Sequence, residues 1–211
     1  ELFSAEITTV PVSEVHDTIE AMIAELKAVD KHPYFIEGGG HGNIGTEAYV
    51  QCYQEIKVFE EEQNIHFDYI FFASGTGTTH AGLVCGRLLN GDERNIIGIS
   101  IARKNPRGRE VVVQSIRDFM DGRVSEDAIQ AATVFIDDYT DGYGKDDKRV
   151  TNTIEAVLKT YGIPLDATYT GKAFMGMSEY ILHHEIKEKN ILFIHTGGTP
   201  LFFDTLKKIS Q

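Results

Sequence analysis

The sequence predicts an α/β protein in which helices wrap a parallel sheet. Apolar segments of strand length alternate with segments whose apolar residues recur at helical spacing. Two of the strand-length segments, residues 67–73 (FDYIFFA) and 95–101 (NIIGISI), are almost continuously apolar, which is typical of strands buried on both faces of a parallel sheet. This alternation of strands and helices indicates successive βα units.

The first quarter of the chain predicts two strands and two helices. Residues 2–12 alternate in polarity and are rich in Ile, Val and Thr, which favours a strand. Residues 15–29 place apolar side chains at helical spacing and predict a helix. Residues 34–36 form a short strand candidate that ends in three glycines, and residues 46–62 predict a helix with an acidic, solvated face.

The rest of the chain continues the same alternation. Residues 67–73 predict a strand, and a turn rich in glycine and threonine leads from it into a helix over residues 80–89. The remaining predicted elements are a strand at 95–101, helices at 110–120 and 125–132, a strand at 133–136, a loop at 137–148, helices at 150–161 and 171–184, and a strand at 191–194.

Composition excludes several classes of function. The 211 residues include 20 Lys and Arg and 32 Asp and Glu, which gives a formal net charge of −12. This charge repels phosphate backbones and anionic lipid, so we expect no nucleic-acid partner and no membrane partner. No apolar run approaches the roughly 18–20 residues that a membrane span needs.

Cysteine and histidine usage indicates a cytoplasmic protein without a metal site. Cys52 and Cys85 are the only two cysteines and form no CxxC motif, which fits a reducing compartment. No secretion signal opens the chain. His183, His184 and Glu185 are adjacent in a predicted helix, where neighbouring side chains do not face one another, so we expect no metal there.

A turn rich in glycine and threonine carries the strongest chemical signal. It joins the buried strand at 67–73 directly to a helix and contains Gly75, Thr76, Gly77, Thr78 and Thr79. The glycines let the backbone approach a ligand closely, and the amides at the start of the helix favour an anion. The turn therefore predicts a site for a phosphate monoester held by uncharged donors.

Two common nucleotide-binding motifs do not match. The dinucleotide fingerprint requires glycine or alanine at its third position, where this chain has His80. A P-loop requires Gly-Lys followed by Ser or Thr, but Gly171-Lys172 precedes Ala173 and Gly144-Lys145 precedes an aspartate. The phosphate therefore belongs to neither a dinucleotide nor a nucleoside triphosphate.

Five motifs occur in order along the chain. They are GGGHGNIG at 38–45, ASGTGTTHAGL at 73–83, DY with GYG at 138–144, YTGKA at 169–173 and HTGG at 195–198. Together they resemble one family, the fold-type-II pyridoxal-phosphate enzymes of the D-cysteine desulfhydrase and 1-aminocyclopropane-1-carboxylate (ACC) deaminase branch. The resemblance implies the fold of the tryptophan synthase β type and pyridoxal 5′-phosphate as cofactor. It also implies a small amino-acid substrate and a homodimer.

The resemblance also implies a role for each matching residue. Residues 75–79 would hold the cofactor phosphate, and Thr170 would face the pyridine nitrogen. Tyr169 would lie near the ring or substrate, and Tyr139 would serve as a second active-site tyrosine. Lys172 is expected at a helix surface and not as the lysine that forms an imine with the cofactor.

Thr170 bears on the choice between the two activities of the branch. The deaminases carry Glu at this position, where a carboxylate keeps the pyridine protonated. A hydroxyl suits elimination of a β-leaving group, so the resemblance favours a desulfhydrase-like enzyme that gives pyruvate, ammonia and sulfide. A deaminase-like enzyme is the alternative.

The resemblance implies an N-terminally incomplete chain. The imine-forming lysine and an asparagine-bearing loop of the family precede the segment that Leu2 begins to match. We therefore expect residues 1–35 to be a remnant of the smaller domain and residues 36–211 to form the larger, cofactor-phosphate-binding domain. On this view the chain alone is inactive, and a non-catalytic binding module is a further alternative.

Overall fold

The computed structural model describes residues 3–145 and 147–209, with side chains as far as Leu206. Residue contacts divide the chain into two compact units, Glu1–Ile36 and Glu37–Gln211.

The described residues of the first unit contain a single α-helix. A short 3₁₀ turn, Val12–Glu14, leads into α1 (Val15–Ala28), which confirms the helix predicted at 15–29. Residues 3–11 and 34–36 form no strand, so the strands predicted at 2–12 and 34–36 are wrong within the described residues. Their composition suits a sheet, but an extended segment needs a partner strand to satisfy its backbone, and the described part of this unit has none.

The second unit is built around a four-stranded parallel sheet with the order β3-β2-β1-β4, which confirms the predicted fold class. Tyr69 of β1 pairs with Asn95 of β2 on one side and with Ile191 of β4 on the other. Ile97 of β2 pairs with Val134 of β3. The strands are β1 (Tyr69–Ser74), β2 (Asn95–Ser100), β3 (Val134–Ile136) and β4 (Ile191–Phe193).

Seven α-helices of the second unit accompany this sheet among the described residues. They are α2 (Asn43–Gln63), α3 (Thr78–Leu89), α4 (Arg107–Met120), α5 (Glu126–Ala132), α6 (Lys148–Tyr161), α7 (Thr170–His183) and α8 (Thr199–Ile209). The six helices from α2 to α7 were expected from the apolar periodicity, within a few residues at each end. α8 is absent from the sequence prediction, although Pro200 in its first turn is a helix-start signal.

Strand alternation distributes the core to both faces of the sheet. On one face, Ile70 and Phe72 of β1 pack with α2, α3, α4 and α5. On the other face, Phe71 and Ala73 pack with α7. A third cluster joins α6, α7 and α8. The buried strands of the sequence prediction are therefore covered on both sides, as a parallel sheet requires.

Glycines allow α2 and α3 to pack closely. A Cβ atom on Gly82 would lie 2.3 Å from Cβ of Tyr49 and 2.5 Å from the carbonyl oxygen of Thr46. One turn further, a Cβ on Gly86 would lie 2.4 Å from Cβ of Tyr53. The 21-residue α2 can lie alongside α3 because this interface has no side chain at either position.

A buried ion-pair cluster lies at the end of the sheet where the strands begin. The guanidinium of Arg94, which precedes β2, donates two hydrogen bonds of 2.8 Å to the carboxylate of Glu60 on α2. Its Nε donates to Asp92, which also accepts from the hydroxyl of Tyr53 at 2.7 Å. This cluster connects α2 to the segment that precedes β2. It lies at the end of the sheet opposite the loops that follow the strands.

Candidate active site

The glycine-threonine loop (residues 75–79) lies at the carboxyl end of β1. Gly77 has a φ of +103° and caps α3, and no side chain accepts a hydrogen bond from the first amides of the helix at this cap. The hydroxyl oxygens of Thr76 and Thr78 lie 3.4 Å apart. Uncapped amides and hydroxyls at a helix start are the groups that an anion site requires.

A second turn packs over this loop. A Cβ on Gly39, whose φ is +73°, would lie 2.7 Å from Oγ1 of Thr76, so only glycine allows the approach. Nδ1 of His41 lies 3.4 Å from Oγ1 of Thr78. The GGGHGNIG motif thus contributes directly to the same site.

Arg103 fixes the loop from the side of β2. Its Nη1 donates a 2.6 Å hydrogen bond to the carbonyl oxygen of Gly75. Because the carbonyl and the following amide share one peptide plane, this bond also fixes the direction of the Thr76 amide.

A cavity of about 380 Å³ opens in front of the loop. It is lined by Gly75, Thr76 and Thr79 of the loop and by Gly39 and Ala73, with Tyr49, Tyr169, Thr196, Gly197 and Gly198 completing the wall. None of these described lining residues carries a formal charge at neutral pH, so hydroxyls, amides and aromatic rings provide the contacts. Gly77 and Thr78 are buried behind the cavity surface.

Tyr169 lines this cavity and contacts Tyr143. The hydroxyl oxygens of Tyr143 and Tyr169 lie 2.8 Å apart, and their rings are arranged edge to face. The hydrogen bond between the two hydroxyls, with burial as a second cause, raises the pKa of Tyr169 to about 12. Tyr169 therefore keeps its proton at neutral pH and can act as a hydrogen-bond donor.

The structure does not bring Tyr139 to this cavity. Its ring packs against Gly176 of α7, where a Cβ would lie 3.3 Å from the tyrosine. Tyr139 instead lines a separate depression with Tyr180 and His183. Tyr143, four residues later in the same loop, occupies the position beside Tyr169. The GYG segment of the motif was the sequence signal for Tyr143, because the glycines on both sides of this tyrosine have positive φ.

Lys172 is buried, which corrects the expectation of a surface lysine. The residue is only 2% exposed, and its Nζ donates a hydrogen bond to the carbonyl oxygen of Gly142 at 2.6 Å. The helix places Lys172 toward the loop that carries Tyr143, so the cation holds that loop instead of meeting solvent. Helical periodicity did not reveal this because Lys stems pack on apolar surfaces as well as in water.

Thr170 also differs from its expected placement. It is fully buried, and its hydroxyl donates to the carboxylate of Asp166 at 2.8 Å and accepts from the Asp166 amide at 3.0 Å. Thr170 does not line the cavity, whereas Thr196 does. Sequence reasoning assigned no role to Asp166 or Thr196. The available signal for Asp166 was an acidic residue just before a predicted helix, and for Thr196 it was a hydroxyl just after a predicted buried strand.

Comparison with known proteins agrees with this geometry. The sequence profile of the family described as "Pyridoxal-phosphate dependent enzyme" matches residues 1–197. The chain belongs to the pyridoxal-phosphate dependent enzyme family. The predicted family and the cofactor, pyridoxal phosphate, are thereby confirmed.

Individual relatives carry the two names of the predicted branch. The chain is 32% identical over 194 residues to a putative ACC deaminase from Pyrococcus abyssi, covering 90% of this chain and 57% of the relative. It is 29% identical over 206 residues to D-cysteine desulfhydrase from Serratia proteamaculans, covering 96% and 62%. The chain thus spans about three fifths of the length of these curated relatives.

Solved structures show the same fold. A crystal structure of an ACC deaminase homologue superposes with a TM-score of 0.83 at 29% identity, covering 99% of this chain and 63% of that one. The processed form of threonine deaminase isoform 2 from Solanum lycopersicum superposes with a TM-score of 0.53 at 19% identity, covering 89% and 54%. The second likeness concerns the fold alone.

The residues present fit pyridoxal phosphate. A phosphate requires several donors without a bulky side chain in front of them. The uncapped amides of α3 and the close approach of Gly39 to Thr76 meet this requirement. Aromatic and hydroxyl groups line the rest of the cavity, as a flat polar ring requires.

Neither a metal cluster nor a membrane-spanning helix occurs among the described residues. Within residues 3–145 and 147–209, no group of three or more His, Cys, Asp or Glu side chains could hold a metal ion. In the same part of the chain, none of the helices combines the length and apolarity needed to cross a bilayer.

Proposed function

We propose that the protein carrying this chain is a pyridoxal-phosphate-dependent lyase that removes a β-leaving group from a small amino acid. D-cysteine is the proposed substrate, with pyruvate, ammonia and sulfide as products. The observation that carries the proposal is the cavity that joins the glycine-threonine loop to the Tyr143–Tyr169 pair. Relatives named D-cysteine desulfhydrase support the substrate class.

The loop residues would bind the cofactor through its phosphate. Gly75, Thr76, Gly77, Thr78 and Thr79 supply amides and hydroxyls, and Arg103 holds the Gly75 carbonyl in place. This arrangement places no lysine or arginine side chain on the cavity surface among the described residues. Phosphate affinity would therefore come from hydrogen bonds and the α3 dipole.

The bound cofactor would supply an aldehyde that condenses with the substrate amine and a ring that accepts electron density from the substrate. The tyrosine pair would handle protons. Oη of Tyr169 holds a proton at neutral pH, and Oη of Tyr143, 2.8 Å away, can replace or accept it. A pair of hydroxyls at the cavity edge can thus donate a proton to a departing thiolate.

A deaminase acting on a cyclopropane amino acid is the second candidate. The relative from Pyrococcus abyssi and the ACC deaminase homologue favour it. The contrast between Thr and Glu at position 170 no longer decides between the two activities, because Thr170 is buried against Asp166. We keep the desulfhydrase as the first candidate because several relatives carry that name.

The test is product analysis on the purified protein with pyridoxal phosphate added. Pyruvate and sulfide from D-cysteine support the first candidate, and 2-oxobutyrate from the cyclopropane substrate supports the second. Cofactor binding without turnover of either substrate would favour the non-catalytic binding module.

The proposal includes the organisation of the whole protein. We propose a cytoplasmic homodimer in which residues 1–35 belong to a smaller domain and residues 36–211 form the cofactor-phosphate-binding domain. The family resemblance supports the dimer and the domain roles, and the two reduced cysteines fit the compartment. Light scattering of the purified protein tests the oligomeric state.

A further inference from the structure

A buried histidine lies directly behind the glycine-threonine loop. His80, in the first turn of α3, is fully buried, and its Nδ1 lies 3.2 Å from Oγ of Ser74, the last residue of β1. Ser74 and His80 are the two residues that flank the loop. Their side chains therefore join the two ends of the segment that is proposed to bind the cofactor phosphate.

Three strands surround the ring of His80. A Cβ on Gly98 of β2 would lie 2.4 Å from its Nδ1, so a side chain at this position would collide with the ring. The ring stacks on Phe135 of β3 with centroids 6.1 Å apart, and it meets Phe72 of β1 edge to face at 5.1 Å. These contacts fix the first turn of α3 over the sheet.

The stability of the core alone does not explain a histidine at this position. Nε2 of His80 has no hydrogen-bond partner among the described residues. Burial lowers the pKa of His80 to about 3, with the field of Arg109 as a second cause, so the ring is neutral near neutral pH. A buried polar atom without a partner destabilises a fold, and an apolar side chain would avoid that cost. The hydrogen bond to Ser74 is the interaction that an apolar side chain could not make.

This hydrogen bond connects the start of α3 to a fixed point of the sheet. The first backbone hydrogen bond of α3 runs from the Ala81 amide to the Gly77 carbonyl at 2.8 Å, so the amides of the first three helical residues have no acceptor inside the helix. Ser74 is held in the sheet, where its carbonyl accepts the Ile101 amide at 3.2 Å. The bond between His80 and Ser74 therefore fixes those three amides relative to the end of β1.

We propose that His80 is a positioning residue that, through its hydrogen bond to Ser74, holds the amides at the start of α3 in the arrangement that binds the cofactor phosphate. This inference rests on the proposed function, because it requires the phosphate to bind at the glycine-threonine loop. The imidazole does not line the cavity, so it acts through the backbone. It complements Arg103, which holds the Gly75 carbonyl.

Ser74→Ala is the main test, because it removes the hydroxyl without adding volume. The Kd for pyridoxal phosphate is measured by calorimetry on the purified protein. We expect the Kd to rise about tenfold, the effect of weakening one hydrogen bond to a charged group. The phosphorus NMR signal of the bound cofactor should also move, because the donors around the phosphate change direction.

Two further variants distinguish positioning from a general loss of stability. His80→Asn keeps a polar group near the place of Nδ1 and removes the rest of the ring, so it should lose stability but keep the wild-type Kd within about threefold. Val157→Ala changes the core cluster of α6, α7 and α8, on the other side of the sheet from His80. It should also lose stability and leave the Kd and the phosphorus signal unchanged.

The outcomes separate this inference from the proposed function. A wild type that binds no pyridoxal phosphate overturns the cofactor site itself. If the wild type binds, an unchanged Kd and phosphorus signal in Ser74→Ala overturn the role of His80, even where His80→Asn does not fold. An equal rise of the Kd in Val157→Ala, or a tenfold rise in folded His80→Asn, also overturns it.

Discussion

The hydroxyl oxygens of Tyr143 and Tyr169 lie 2.8 Å apart, although the two residues come from different segments of the chain. Tyr169 precedes α7, and Tyr143 lies in the loop before α6. This hydrogen bond is the main cause of the raised pKa of Tyr169. The two side chains therefore form one unit, and changing either one should alter the other.

Tyr143→Phe removes the hydroxyl that bonds to Tyr169, so it should bring the pKa of Tyr169 down from about 12 toward its ordinary value. Tyrosine labelled at the ζ carbon reports ionisation by NMR, and Tyr169→Phe identifies the signal. If the proposed lyase activity holds, Tyr169→Phe should lower kcat by about a hundredfold or more, the usual contribution of a positioned proton donor.

Tyr139→Phe is the matched control for the tyrosine pair. Tyr139 shares the loop with Tyr143 but packs against Gly176, outside the cavity. Its hydroxyl should therefore contribute little to kcat. A loss for Tyr139→Phe as large as that for Tyr169→Phe would contradict the placement of these residues.

Gly77→Ala should weaken cofactor binding. The φ of +103° strains any residue with a Cβ, and that Cβ would lie 3.3 Å from Cγ2 of Val112. Relief of the strain turns the amides at the start of α3, so we expect the Kd for pyridoxal phosphate to rise about tenfold or more, which is 1.4 kcal/mol. Quenching of protein fluorescence by the cofactor measures this change.

Gly91→Ala provides the comparison. Gly91 also has a positive φ, of +60°, but it follows α3 and a Cβ there would meet nothing within 4 Å. Both variants should lose about 1 kcal/mol of stability from backbone strain. Equal effects of the two variants on the Kd would argue against a cofactor site at the glycine-threonine loop.

Sequence periodicity predicted the sheet because its strands are apolar on both faces. Residues 67–73 and 95–101 have no amphipathic alternative, and both became central strands. The strand predicted at 2–12 had the right composition, but composition does not supply a partner strand. The local sequence pattern therefore predicted the strands that are buried on both faces. It failed for the segment whose strand structure would depend on pairing with another strand.

The glycine-threonine loop was also predictable, because its glycines, its hydroxyls and the helix start that they precede lie within a few consecutive residues. The tyrosine pair was not, since Tyr139 and Tyr143 belong to one loop and only the fold decides which of them reaches Tyr169. Asp166 escaped for a similar reason: its contact with Gly198 joins segments about thirty residues apart.

Lys172→Met should loosen the loop that carries Tyr143. The buried Nζ donates to the carbonyl of Gly142, next to that tyrosine, and Met fills a similar volume without a donor. We expect a cost of about 1–3 kcal/mol from the unsatisfied carbonyl and the lost charge-assisted bond. The Tyr169 pKa should fall as it does in Tyr143→Phe.

Lys159→Met is the control for the buried lysine. Lys159 is exposed on α6 and pairs only with Glu155 one turn away among its described ion pairs. Such surface pairs contribute less than about 1 kcal/mol. A Tyr169 pKa that stays unchanged in folded Lys172→Met would show that Lys172 does not hold Tyr143 in place.

Glu60→Gln should destabilise the protein without touching the site. Burial pushes the pKa of Glu60 up, but hydrogen bonds from Arg94 and the Phe67 amide outweigh it and hold the pKa below its ordinary value. The carboxylate therefore stabilises the fold above the pKa of the unfolded chain, about 4.3, and this stabilisation is lost as the pH falls below it. Removing one partner of such a buried pair costs about 3–5 kcal/mol.

Urea unfolding near neutral pH and near pH 4 measures both effects, with Glu61→Gln as the exposed neighbour on the same helix. We expect Glu61→Gln to change the free energy of unfolding by no more than about 0.5 kcal/mol. The difference in unfolding free energy between wild type and Glu60→Gln should narrow at the lower pH. There the unfolded wild-type chain binds a proton at Glu60, while the lowered pKa keeps the folded carboxylate charged. A difference in unfolding free energy that widens at the lower pH would contradict a stabilising ion pair between the Glu60 carboxylate and Arg94.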